Sequence, residues 1–260
     1  MKASTRRGPA LLAGLLMLGC VGQEPTDSLH LAAFDGPVNA GASWTLDGGQ
    51  AGALLGDGLS RAGDVNGDGW ADVLVASSGW DGGSTDEGAV WLYAGDAGGP
   101  GSTPLWQATG QAGSGFGLGA RGVGDLNGDG YDDLAVGARY WTDTLTEQGR
   151  VAVWFGSSTG PSASPDWEIF GAAAGAHLGW SVAGAGDVNG DGFGDLLVSS
   201  PDLDGTVVDQ GEVALFLGST GGLGATADWT WTIAQVVGTN AATDGADIGG
   251  GNGGVTGVGD

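Results

Sequence analysis

The chain has 260 residues, among them 58 Gly, 8 Pro and 11 Trp, and its 31 acidic against 7 basic side chains give a net charge of −24. Gly costs about 1 kcal/mol at each helix-interior position, which excludes long helices, and a hydrophobic content of 41% is too high for a solvated low-complexity tail. Nucleic acid is excluded as a partner because no Lys/Arg cluster exists to neutralise phosphates, leaving an all-β chain of short strands that either lives in high salt or binds cations.

In chain order, Lys2, Arg6 and Arg7 form a basic start, and Pro9 to Leu18 an apolar run. Ten residues cannot cross a hydrocarbon core that needs about 20, so residues 1–19 read as a signal peptide. Met17-Leu18-Gly19-Cys20 resembles a bacterial lipobox, although Met17 stands where Leu is usual. That resemblance implies cleavage before Cys20 and lipidation of it. The chain would then be exported and membrane-anchored at the bacterial cell envelope, at the outer membrane or cell surface. Ordinary secretion, or a buried Cys in an uncleaved segment, is the alternative; Arg6-Arg7 hints at twin-arginine export, but Gly8-Pro9 continues it poorly. Cys20 is the only cysteine, so no disulfide can form within the chain. Residues 20–40 read as the lipidated cysteine and a tether.

From about residue 41 the sequence repeats. Asp64-Val-Asn-Gly-Asp-Gly, Asp125-Leu-Asn-Gly-Asp-Gly and Asp187-Val-Asn-Gly-Asp-Gly lie 61 and 62 residues apart, and Trp44, Trp106, Trp167 and Trp229 keep the same step. Each unit holds a small-residue segment (Leu59–Gly63, Leu118–Gly124, Ser181–Gly186), the acidic loop, an apolar run (from Val73, Leu134 and Leu196), a second run (from Ala89, Arg150 and Glu212) and the Trp segment. That predicts four short strands per unit, with the run after the acidic loop buried on both faces. Units of this length predict antiparallel propeller blades rather than a sandwich.

Leu178-Gly-Trp-Ser-Val-Ala-Gly-Ala-Gly-Asp-Val-Asn-Gly-Asp-Gly-Phe-Gly-Asp-Leu-Leu-Val-Ser-Ser-Pro201 resembles an FG-GAP repeat, the blade of the integrin α-subunit β-propeller and of many bacterial surface proteins. Phe116-Gly117 keeps the FG pair; Leu55-Gly56 and Leu178-Gly179 put Leu for Phe, and the GAP end survives loosely at Gly137-Ala138-Arg139 and Ser199-Ser200-Pro201. The resemblance covers residues 41–260: three complete blades and the start of a fourth, which begins near Asp247 and breaks off at Asp260, aligned with the first ligand of a fourth loop. Since propellers of the integrin type close with seven blades, the expectation is a fragment of one; partial propellers that associate are the alternative.

The loops at 64–72, 125–133 and 187–195 read D-x-N-x-D-G-x-x-D. Hard oxygens at positions 1, 3, 5 and 9, with Gly at position 6 to permit the turn, suit Ca²⁺. The expected ligands are Asp64, Asn66, Asp68 and Asp72; Asp125, Asn127, Asp129 and Asp133; and Asp187, Asn189, Asp191 and Asp195. Trp70, Tyr131 and Phe193 would add backbone carbonyls. An EF-hand needs Glu at position 12, where this chain has Val75, Val136 and Val198. The competing reading is three metal-free Asx turns. Full ligand sets point to three structural sites rather than a catalytic metal, replacing absent disulfides.

No catalytic residue is expected. Gly156-Ser-Ser-Thr-Gly160 matches a nucleophile elbow but follows a strand, so it reads as an inter-strand turn. Gly117 to Gly122 matches G-x-G-x-x-G without a helix to follow and reads as the first strand of a blade. His30 and His177 do not recur and read as loop residues; the recurring Trp read as packing or edge cover. Trp70, Trp80, Trp141, Trp180 and Trp231 recur less regularly and could stack sugars, although packing is favoured. The expected function is a calcium-binding surface lipoprotein that binds or adheres to a protein or glycan ligand, with loops Ser78–Gly88 and Arg139–Gly149 carrying specificity. The alternatives are a propeller scaffold in a secreted polysaccharide- or lipid-degrading enzyme, and an envelope spacer without a ligand.

Overall fold

The computed structural model describes residues 28–31 and 44–232, and every regular element among them is a β-strand. A first antiparallel pair joins β1 (Ser28–Leu31) to β2 (Trp44–Asp47). Three four-stranded antiparallel meanders follow. The first comprises β3 (Leu55–Gly63), β4 (Asp72–Ser77), β5 (Ala89–Tyr93) and β6 (Trp106–Thr109). The second comprises β7 (Arg121–Gly124), β8 (Asp133–Ala138), β9 (Arg150–Trp154) and β10 (Trp167–Phe170). The third comprises β11 (Val182–Gly186), β12 (Asp195–Ser200), β13 (Glu212–Phe216) and β14 (Trp229–Trp231). These are three consecutive propeller blades.

Two differences from the sequence reading stand out. Ser28–Leu31, inside the segment read as tether, is a strand in register with Trp44–Asp47. Gly117–Gly122 is mostly a turn, reaching β7 only at Arg121. Gly156–Gly160 does form a turn between β9 and β10. The expected signal peptide, Cys20 and the start of a fourth unit lie outside the described residues.

The blades share their inner edge, since β7 packs against both β3 and β11. A Cβ on Gly122 would lie 2.5 Å from the Ala62 carbonyl oxygen, and one on Gly184 2.5 Å from that of Val123. The small-residue character of β7 and β11 follows from that approach.

The core lies between blades rather than inside one. One cluster joins Leu74, Ala76, Val90 and Leu92 of the first blade to Phe116, Leu134, Val136 and Trp154 of the second. Another joins Ala135, Val151 and Val153 to Leu178, Leu196, Val198 and Phe216. Alternate residues of β8 and β9 therefore serve opposite neighbours, which is why these strands are apolar without a period of two. Phe116 and Leu178, at the FG position, each fill one of these clusters.

The recurring Trp latches one blade to the next. Trp44, Trp106 and Trp167 meet Tyr93, Trp154 and Phe216, the last residues of the next third strand, at centroid distances of 5.1, 5.2 and 5.1 Å, edge to face. Each indole N–H donates to a carbonyl in the following turn: Gly101 (3.0 Å), Ser162 (2.8 Å) and Gly224 (2.8 Å). Trp106→Ala therefore removes core volume, a ring contact and a hydrogen bond, and is expected to cost about 3–5 kcal/mol. Trp106→Phe keeps most of the ring and is expected to cost about 1 kcal/mol through the lost N–H donor. Urea unfolding of the two variants checks both values.

Candidate metal centres

Each acidic loop leaves the first strand of its blade and runs into the second, whose first residue is the ninth of the loop. The loops fold alike because their side chains take over the backbone donors of a tight turn. Asp64 accepts the N–H groups of Asp68 (3.0 Å) and Gly69 (2.9 Å). Asp125 accepts those of Gly128 and Gly130, and Asp187 those of Gly190 and Gly192. Asn66, Asn127 and Asn189 accept from the backbone of Asp68, Asp129 and Asp191 at 2.9, 3.0 and 3.0 Å. Those aspartates in turn accept from the N–H of Trp70, Tyr131 and Phe193.

The ninth residue has a second duty that the sequence reading missed. Asp72, Asp133 and Asp195 are buried. One oxygen of each takes the N–H of the loop's second residue, Val65, Leu126 or Val188. The other takes the N–H of Gly95, Gly156 or Gly218 after the third strand, at 2.9 Å in all three blades. These carboxylates staple the start of the loop to the far side of the blade.

Neighbouring loops also touch. Asp64 N–H donates to the Asp132 carboxylate at 2.6 Å. Asp132 and Gly194 donate their own N–H to the carbonyls of Asp64 and Asp125, at 3.2 and 2.8 Å. The aromatic ring at position 7 covers the Gly at position 4 of the preceding loop. Gly128 has φ +74°, and a Cβ there would fall 2.4 Å from the Phe193 ring, so both backbone and space demand glycine.

Among the described residues, no three His, Cys, Asp or Glu side chains come together as a ready metal-binding group. The loop carboxylates meet backbone N–H groups instead. The donor chemistry still fits a hard cation: each loop offers three carboxylates and one amide oxygen within nine residues, and an oxygen that accepts one N–H keeps a second lone pair. None of these carboxylates has an ion-pair partner among the described residues. Burial, with Asp125 and Asp129 adding repulsion, pushes the Asp133 carboxyl up to about 7 against the N–H groups of Gly156 and Leu126. Burial likewise raises Asp72, with smaller contributions from Asp68 and Asp64. The Asp187 carboxyl is held below the usual range, first by the N–H of Gly192.

The two kinds of aspartate should separate on mutation without metal. Asp133→Ala leaves two buried N–H groups without acceptors, whereas Asp129 is exposed. In chelator, Asp133→Ala is expected to destabilise the chain by about 2 kcal/mol more than Asp129→Ala, as read from denaturant midpoints.

The comparisons with known proteins match this architecture. The FG-GAP repeat model matches residues 60–93, 122–154 and 178–216, one stretch in each blade. Integrin alpha-6 of Gallus gallus is 37% identical over 140 residues, which cover 53% of this chain and 12% of that protein. Phosphatidylinositol-glycan-specific phospholipase D of Bos taurus is 38% identical over 168 residues, 59% of this chain and 19% of that protein. Among solved structures, a rhamnogalacturonan lyase aligns with 68% of this chain and 34% of its own at a TM-score of 0.40 and 18% identity. The chain thus matches under a fifth of the length of these curated relatives. With an acidic loop and an FG position in each of its three described blades, the chain carries three stretches that match FG-GAP repeats.

Proposed function

We propose that this chain is a calcium-stabilised β-propeller binding module, displayed at a bacterial envelope through a lipid on Cys20 and binding a protein or glycan ligand. The observation that carries the calcium reading is the repeated loop of three carboxylates and an amide oxygen with no cationic side chain paired to it among the described residues. Ca²⁺ takes six to eight hard oxygens. Asp64, Asn66, Asp68 and Asp72 would hold one ion, and Asp125, Asn127, Asp129 and Asp133 a second. Asp187, Asn189, Asp191 and Asp195 would hold a third. The carbonyls of Trp70, Tyr131 and Phe193 would complete the sets. Burial first, and neighbouring carboxylates second, raise Asp72 and Asp133, and the ion's charge would offset both.

The anchor rests on the sequence around Cys20, and the binding role on the integrin-type repeats. A second reading, a propeller serving as scaffold in an enzyme, is favoured by the likeness to the phospholipase D.

Calcium is tested by thermal unfolding of the chain in chelator and in rising Ca²⁺. Each filled site is expected to add about 2.7 kcal/mol at a free concentration 100 times its dissociation constant. Asp125→Asn with Asp129→Asn should remove one site's share and leave the other two. A melting curve indifferent to Ca²⁺ overturns the metal reading. Fatty-acid labelling that is lost in Cys20→Ser supports the anchor.

A further inference from the structure

The junction between the second and third blades breaks the repeat, and it does so with charged and aromatic side chains. At the two earlier junctions a glutamine of the linker clips onto the next blade. Gln50 donates to the Asp81 carbonyl (2.7 Å) and accepts its N–H (3.0 Å), and Gln111 does the same with Thr142, at 3.0 Å each way. The third position in this series is Ala173. There His177 takes over, at φ +52°, its Nδ1 2.5 Å from Asp202 and its Nε2 3.6 Å from Glu147. Next to it the Arg139 guanidinium lies 4.2 Å from the centre of the Trp180 ring and 4.8 Å from that of Tyr140. The His177 ring packs edge to face on Tyr140 at 5.2 Å.

None of this is required by a blade. Where this junction has Arg139, Tyr140, His177 and Trp180, the registers of the other blades place Ser78 or Pro201, Gly79 or Asp202, Leu54 or Gly115, and Asp57 or Leu118. The group sits on loops at the end of the blades opposite the acidic loops, because the strands between are antiparallel.

Arg139 forms no ion pair among the described residues, in a chain with 31 acidic side chains, and its Nε is buried without a hydrogen-bond partner. The nearby acids Glu147 and Asp202 face His177 instead. Ring stacking covers a face of a guanidinium and holds it in place, while its N–H donors lie in the plane, where they match a carboxylate. We propose that Arg139, held against Trp180 and Tyr140, binds the carboxylate of an acidic sugar on this loop face. Glu147 and Asp202 favour a sugar over an acidic peptide: they are acceptors, and a uronic acid brings hydroxyl donors alongside its single charge. The inference rests on the binding-module reading and names the ligand class for it.

The test is an NMR titration of the full chain, in calcium buffer, with methyl glucuronide, methyl glucoside and an acetylated glutamyl peptide amide. The glucuronide is expected to bind about tenfold more tightly than the glucoside, the margin of a charge-assisted hydrogen bond. Arg139→Gln should remove that margin, and Arg139→Lys, which keeps the charge without the fork, most of it. Arg61→Gln, on the exposed part of β3, should leave it intact. Unchanged melting temperatures in these variants show that the fold is kept. Equal affinity for the two sugars, or a margin that survives Arg139→Gln, overturns the proposal. An Arg139-dependent preference for the peptide overturns the sugar as the source. If the chain still answers to Ca²⁺ and binds another ligand, the binding-module reading survives the loss of this one.

Discussion

A single blade of this chain cannot bury its own strands. Each sheet is apolar on both faces, and the residues that fill the core belong in alternation to the neighbour on either side. Stability is therefore a property of junctions, as in other stacked repeats, where nearest-neighbour interfaces supply what one unit lacks. The Trp that opens each fourth strand shows how a junction is made specific. Apolar area alone would let one sheet slide over another. An indole wedged edge to face against the neighbour's last third-strand residue, with its N–H on a carbonyl of the neighbour's turn, allows one position only. Three successive junctions use the same geometry, so the period of the Trp and the rotation from blade to blade have a common cause.

The acidic loops obey the same constraint. Their carboxylates fold the turn, their ninth residue reaches across the blade, and their edges bond to the next loop. A cation bound in such a loop would brace a blade and its junction together, which suits a chain with a single cysteine and so no internal disulfide. It would also give a reason for gathering negative charge in these loops. Burial, and to a smaller degree Asp125 and Asp129, raise the Asp133 carboxyl to about 7. A purely structural Asx turn could have used Asn at the outer positions and avoided that repulsion.

How much of this was legible in the sequence depended on whether a residue recurs. The strands were readable because the acidic hexapeptide, the apolar runs and the Trp repeat in step, and a period of 61 or 62 residues allows few other architectures. The strand at Ser28–Leu31 was not, because it stands outside the repeat and its pairing with Trp44–Asp47 spans a segment of unremarkable composition. The Trp was recognised as packing, yet its partner could not be: a contact with Trp154, 48 residues on, leaves no local pattern. Asp72, Asp133 and Asp195 were read as ligands alone. Their bonds to Gly95, Gly156 and Gly218 depend on how the third strand returns, which spacing does not reveal.

Recurrence also separates scaffold from specificity. A position that repeats in every blade is explained by the blade: Asp at the staple, Trp at the latch. A position that departs from the repeat owes the fold nothing, and a single departure is ordinary drift. Departures that converge are different. Arg139, Tyr140, His177 and Trp180 come from two separate segments, meet at one junction, and stand where the other blades have no aromatic or basic side chain. Their exchange for the glutamine clip of the other junctions shows that the junction can be held without them. The blades fix where loops stand, and the residues that break the pattern give one loop face a chemistry the others do not have.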